Sequence, residues 1–222
     1  GDHLLSPSEC TKRDLMEIYN ISEKKISVIY WAPFLDLKTN SSPLNYKENI
    51  LLFVGNRHKY KNASKFLEAF KSNKFLFNNY RIVFFGGGKF NSYERKIIDE
   101  YKLKSKIELV LGNDKQLIEL YQKATMLVYP SLYEGLGLPI LEAMVHGCPV
   151  ATSYSSGMIE AGGECVEFFD PNSLESISSS IIKIANSNQY SNKLIKLGYD
   201  HVKNFSWSKC AKETFNIYKK II

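Results

Sequence analysis

The chain has 222 residues, a hydrophobic fraction of 44% and a net charge of +6 at pH 7. That length bounds it to one large domain or two small ones, and it buries a sizeable core without disulfides. Cys10, Cys148, Cys165 and Cys210 are scattered, with no CxxC or Cys/His pairing, and read as reduced thiols of a cytosolic protein rather than a metal site. No apolar run reaches the length of a membrane span, and no signal peptide is expected ahead of the fold. Without a long basic run, the surplus lysines fit an anionic small ligand, an acidic membrane surface or plain solvation better than nucleic acid.

Gly1, where Met is expected, reads as a processed, tagged or truncated start, and Leu4-Leu5 as the tail of a preceding unit. Ser8 is the expected N-cap of a helix that stops near Tyr19-Asn20, and Ile26–Tyr30 looks like a strand end. Trp31–Tyr46, with Pro33, Pro43 and several Ser and Asn, reads as a linker. From Asn49 the pattern becomes regular. ILLFVG (50–55) is a continuous apolar run, as expected of a strand covered on both faces. Lys61–Lys71 has helical spacing through Ala63, Phe66, Leu67 and Phe70. RIVFFGGG (81–88) is a second buried strand, Ser92–Tyr101 a helix, and KIELVLG (106–112) a strand. Asp114 is the expected cap of LIELYQKA (117–124), and MLVYP (126–130) is the next strand. CPVATS (148–153) and ECVEFF (164–169) follow as strands. Three closing helices are expected, to about Asn186, near 190–203 and over 206–221.

Strands alternating with helices of this length predict an α/β fold, a Rossmann-like parallel sheet with helices on both faces. Ligands of such sheets sit beyond the carboxyl ends of the strands, where the strand order reverses. The unusual residues lie at those ends: Gly55-Asn56-Arg57, Gly86-Gly87-Gly88, Leu111-Gly112, Pro130-Ser131 and Ser153. In VGNRHKYKN (54–62), Arg57 and Lys61 are candidates to converge on one anion, Arg as a planar fork and Lys as a point charge. Both also fit as ordinary helix-entry cations. Gly86-Gly87-Gly88 lacks the spacing of a dinucleotide fingerprint and reads as a tight turn.

The stretch Tyr129–Val150, YPSLYEGLGLPILEAMVHGCPV, organises the rest. Pro139 suits the opening of a helix, where its missing N–H costs nothing. The free amides of that first turn and the positive end of the helix dipole make an anion site. Gly135 and Gly137 let backbone approach a ligand. Glu142, about one turn into the helix, is placed to accept two hydroxyl hydrogen bonds, as a ribose diol requires. Glu134, in the loop, reaches hydroxyls beyond the anion. A helix-start carboxylate and a solvated turn acid are the plain alternatives for the two. SYSSGMIEAGGE (153–164) reads as a Ser/Gly-rich loop in which Glu160 is either another site carboxylate or a helix-start acid. His146 reads as structural, and no DxD or His-rich cluster offers a metal seat.

Glu134-x7-Glu142 within PSLYEGLGLPILEAM resembles the signature of the retaining GT-B glycosyltransferases of family four. The resemblance continues through VGNRHKYKN, IELVLGN, LIELYQKATMLVYPS, GCPVATSYSSGMIEAGGECVEFFDP and FSWSKCAKETFNIYK, and covers residues 8–220. It implies the C-terminal, donor-binding half of a two-domain enzyme. Residues 1–47 would be the end of a missing N-terminal domain and the interdomain linker, 48–205 the nucleotide-sugar-binding domain, and 206–222 a helix packing back toward the N-terminal domain.

Carried over by motif, Arg57 and Lys61 would hold the diphosphate, Glu142 the ribose, and Glu134 the transferred sugar. Arg57, Lys61 and Glu134 form the catalytic set. The backbone amides of Gly135, Leu136, Gly137 and Leu138 would lie nearby, and the backbone around Val110 and Leu111 would meet the base. Gly55 and Ser131 complete the donor site. Transfer with retention is implied, without metal or cofactor, the departing diphosphate being stabilised electrostatically. The sequence departs from the family at Leu136, where Phe is usual, and in GMIEAGGE, where Leu-Pro before the Glu and Gly-Asp after it are usual.

The resulting expectation is a hexosyltransferase using a GDP- or UDP-sugar, with a lean toward mannose. Its acceptor would be a glycan or glycolipid of surface polysaccharide synthesis, held by the N-terminal domain. The protein would be cytoplasmic or peripheral at the inner face of the plasma membrane, and these residues alone inactive in transfer. A non-catalytic nucleotide-sugar-binding subunit, or one chain of a split transferase, is the alternative. A nicotinamide dehydrogenase lacks its GxGxxG and following acid.

Overall fold

The computed structural model describes residues 2–33, 47–57 and 59–221; most of the expected linker over 31–46 lies outside them. In chain order the elements are β1 Leu4–Ser6, α1 Glu9–Tyr19, β2 Ile26–Val28, β3 Glu48–Val54, α2 Ala63–Ser72, α3 Lys74–Asn79, β4 Arg81–Phe85, α4 Ser92–Glu100, β5 Ile107–Val110 and α5 Asp114–Lys123. Then come β6 Ala124–Tyr129, α6 Leu138–Val145, β7 Val150–Ser153, α7 Gly157–Gly162, β8 Glu167–Phe169, α8 Leu174–Ala185, α9 Asn188–His201 and α10 Trp207–Ile221. Six parallel strands form one sheet in the order β5-β4-β3-β6-β7-β8, and β1 pairs with β2 in a separate parallel ribbon.

Strand alternation sorts the core into two layers. Ile50, Leu52 and Val54 of β3 pack with Val83, Leu127 and Tyr129 under Leu117 and Tyr121 of α5 and Ile140 of α6. Leu51 and Phe53 face the other way, with Phe84, Met126 and Val128, onto Phe66 and Phe70 of α2, Leu76 of α3, Ile98 of α4 and Ile177 of α8. Both faces of β3 are thus covered, which is why its sequence reads as a continuous apolar run rather than an alternation. Burying each such aliphatic or aromatic side chain is worth about 1.5–3 kcal/mol.

Local signals set the helix ends. Ser8 caps α1 by accepting from the Thr11 amide, and Asn20 ends it in the left-handed conformation. Asn91 and Glu94 form a capping box on α4, and Asn113 and Gln116 another on α5. The cap of α5 is therefore Asn113, with Asp114 the first helical residue, one position from the sequence expectation. Two helices were not legible as such: α3, and α7 inside the segment read as a Ser/Gly-rich loop. Below the sheet, the Lys47 ammonium donates to the carbonyls of Gln122 (2.8 Å) and Gly147 (3.0 Å). It thereby neutralises the carboxyl ends of α5 and α6 together.

Candidate functional site

The strand order reverses between β3 and β6, with β4 and β5 to one side and β7 and β8 to the other. The helices that follow these two strands leave on opposite faces, α2 into one core layer and α6 into the other. In open sheets of this kind ligands bind beyond the strand ends at such a point.

On the β3 side, Gly55 (φ +105°) ends the strand and donates its amide to the Phe85 carbonyl. A single 3₁₀ turn, Lys59–Lys61, then carries the chain to Asn62, whose left-handed backbone turns it into α2. Asn tolerates that conformation where most residues do not. The turn aims Lys61 across the switch point. Its Nζ lies 2.6 Å from Glu134 Oε1 and 2.9 Å from the Tyr129 hydroxyl, and the two charged side chains are only 12% and 14% exposed. Burial, reinforced by the Glu134 charge, pushes the Tyr129 hydroxyl far above its ordinary range and keeps it neutral.

On the β6 side, the Leu132 amide donates to the Tyr60 carbonyl (2.7 Å) and ties the two strand-end loops together. Ser131 is fully buried at the end of β6, its side chain beside the Tyr129 hydroxyl. The Glu134 backbone is held at both ends: its amide donates to Ser156 Oγ (2.9 Å), and its carbonyl accepts from the Gly157 amide (3.1 Å). Among the described residues the amides of Gly135, Leu136 and Gly137 meet no acceptor. They lead directly into α6, whose first two residues are Leu138 and Pro139. Unpaired amides at the positive end of a helix are an anion-binding arrangement. The Leu136 side chain is buried in the core layer above α6, and Leu138 packs at its edge.

One turn further, Glu142 Oε2 accepts from the Tyr121 hydroxyl (3.1 Å). Burial raises the Glu142 carboxyl above its ordinary range; the Tyr121 hydrogen bond opposes this and Asp114 adds to it. His146 stacks on Tyr121 at 6.1 Å, and burial pulls its imidazole down to about 4. It forms the C-cap of α6 and is buried there.

In this structure the two cations expected on one anion engage different partners. The Arg57 guanidinium is turned toward the end of β4. It donates to the carbonyls of Gly86 (2.9 Å) and Gly88 (2.8 Å) and to Glu94 (2.8 Å), and lies 4.8 Å from the Phe90 ring centre. Only 3% of its side chain is exposed. Three successive left-handed glycines, at φ +79°, +71° and +72°, curl the backbone so that their carbonyls converge on this cation. A Cβ on Gly87 would fall 2.7 Å from both Arg57 Nη1 and the Gly55 carbonyl, so the glycine run and Arg57 form one built unit. The Gly86 amide in turn engages the Val110 carbonyl (3.0 Å), leaving Leu111 exposed beyond it.

Glu160 likewise lies apart from Lys61 and Glu134: it receives the first amides of α1. Sequence reasoning missed Tyr129, Tyr121 and the Ser156-Gly157 clip. The hydroxyl partners of the two tyrosines are distant in sequence.

A model of the family described as glycosyl transferases group 1 matches residues 36–201. The O-antigen chain mannosyltransferase B of Escherichia coli is 40% identical over 106 residues, covering 48% of this chain and 28% of that protein. The O-antigen chain mannosyltransferase RfbU of Salmonella typhimurium is 28% identical over 207 residues, covering 90% of this chain and 57% of that protein. The chain therefore spans little more than half the length of the relative it matches along most of its own sequence. A glycosyltransferase structure from Rickettsia africae superposes with a TM-score of 0.86 at 22% identity, covering 99% of this chain and 63% of that one. The structure of WaaG, a glycosyltransferase involved in lipopolysaccharide biosynthesis, gives 0.80 at 19%, covering 94% and 60%. With the family model matched over most of its length and the Rossmann-like sheet of GT-B glycosyltransferases, the chain belongs to the glycosyl transferases group 1 family.

Proposed function

We propose that this chain is the donor-binding half of a retaining hexosyltransferase, with a mannosyl nucleotide as its donor and a glycan or glycolipid as acceptor. The observation that carries the reading is the cluster at the switch point. Lys61, Tyr129 and Glu134 meet beside three unpaired amides, with Glu142 one helical turn away. The mannosyl assignment draws on the names of the two O-antigen relatives.

The diphosphate of a nucleotide sugar fits the amides of Gly135–Gly137 and draws the Lys61 ammonium onto itself. That frees the Glu134 carboxylate to accept hydroxyls of the sugar. The carboxylate of Glu142 accepts both ribose hydroxyls, with Tyr121 fixing its orientation. As the glycosidic bond breaks, charge builds on the departing diphosphate, and Lys61 and the helix end stabilise it without reorganisation. Arg57 acts through the glycine turn, which shapes the wall at the ends of β4 and β5 where the base would lie. Gly55 and the buried Ser131 line the crevice floor. No metal is assigned to the site, and a chelator should leave donor binding unchanged. Transfer itself would require an acceptor wall beyond these residues, since orientation of both reactants supplies much of the rate. Calorimetric titration with GDP, UDP and their common hexose derivatives tests the assignment: saturable binding supports it, and absence of binding to every nucleotide overturns it.

A further inference from the structure

A closed ring of contacts surrounds the Glu134 loop, and one carboxylate completes it. The cap and middle of α1 grip the loop on either side of Glu134. Ser8, fully buried, donates its hydroxyl to the Gly135 carbonyl, and the Tyr133 hydroxyl donates to Asp14. From the other side, the start of α7 holds the Glu134 backbone through Ser156 and Gly157. The approach there is tight enough that a Cβ on Gly157 would fall 2.2 Å from the Gly135 carbonyl oxygen.

Glu160, on α7, joins these two supports. Its Oε1 accepts from the Cys10 amide (2.7 Å), and its Oε2 accepts from the Glu9 amide (2.8 Å) and the Tyr30 hydroxyl (2.9 Å). Both free amides of the first turn of α1, and the chain leaving β2, are thus fastened to α7 by one side chain. A carboxylate suits this role because it accepts from three donors at once, and its charge complements the helix end.

We propose that Glu160 is a positioning residue: it closes the ring of α1, loop and α7 that holds Glu134 in register with Lys61. The segment β1-α1-β2 thereby couples to the sugar end of the donor site. The sugar-recognition arm of this proposal rests on the donor-site reading above; the mechanical arm does not.

The test uses the whole chain with Glu160→Ala and Glu160→Gln, the latter retaining one acceptor oxygen. Hydrogen exchange is followed in peptides covering 9–12, 131–137 and 138–145. Glu160→Ala should speed exchange at both 9–12 and 131–137 about tenfold while 138–145 holds, with Glu160→Gln intermediate. Affinity for a nucleotide sugar should fall about fivefold and that for bare nucleotide by less, because the ribose contact of Glu142 lies outside the ring while the sugar contact of Glu134 lies inside it. Faster exchange confined to 9–12 would make Glu160 only a helix cap and overturn the proposal, as would an unchanged ratio of nucleotide-sugar to nucleotide affinity. If the wild type bound no nucleotide, the donor reading would fall and the exchange data alone would decide on the ring. Should Glu160→Ala not fold, Glu160→Gln carries the same comparison.

Discussion

Replacing Lys61 with Met separates two roles that the structure gives to one ammonium. Met keeps most of the apolar stem and removes the charge, leaving the Glu134 carboxylate, 14% exposed, with no ion-pair partner among the described residues. Breaking a buried pair in this way costs about 3–5 kcal/mol. Some water reaches Glu134, so about 3 kcal/mol in urea unfolding is the expected loss. A charge-assisted hydrogen bond to phosphate is worth about 1.5–3 kcal/mol, or roughly 10- to 150-fold in the Kd of a nucleoside diphosphate. The single variant should therefore lose both stability and nucleotide affinity. Adding Glu134→Gln removes the stranded charge, so the double variant should regain most of the stability and none of the affinity. Recovery of nucleotide affinity in the double variant would show that Lys61 serves only as the partner of Glu134, and the reasoning would fail.

Arg57→Lys tests the glycine-turn unit. An ammonium cannot reach Glu94 and the Gly86 and Gly88 carbonyls together, so about 2 kcal/mol of stability should go, with a smaller change in nucleotide affinity. A large affinity loss at unchanged stability would return Arg57 to the diphosphate. Glu142 and His146 should act on stability with opposite pH signs. Burial raises the folded-state Glu142 value, so its contribution is full at low pH and is lost as pH rises through that value. Glu142→Gln should then gain stability on wild type near neutrality and lose the advantage below its ordinary 4.5, while losing ribose recognition. His146 is held near 4 against an ordinary 6.5, so wild type should lose stability as pH falls across that window, by up to ~3 kcal/mol, and His146→Phe should flatten the loss in urea titrations. Gly157→Ala should weaken donor binding and stability together, because its methyl meets backbone rather than a movable side chain.

The fold was legible because strands buried on both faces write continuous apolar runs, and because Asn, Ser and Gly mark the helix ends. The central helix and its two acids were legible for the same reason: Pro139, the flanking glycines and the spacing to Glu142 are local. What escaped was set by distance in sequence. The sequence gives no sign of the partners that Arg57 has in this structure, the carbonyls of Gly86 and Gly88, about thirty residues on. Glu160 reads as a site acid or a helix-start acid, and the α1 amides it accepts from come from the far end of the chain. The hydroxyl of Tyr129 was not legible as part of the site because Lys61, which donates to it, lies 68 residues away in sequence. α7 was hidden because its six residues include two glycines and carry too short a pattern to show a period.

The most direct test of the donor site is a calorimetric titration of GDP- and UDP-hexoses into the wild type and Glu142→Ala. Saturable binding of one nucleotide sugar by the wild type, weakened about tenfold or more by loss of the Glu142 carboxylate, is the predicted result. Equal binding by the two proteins, or no binding to either, would contradict the assignment of the crevice between β3 and β6.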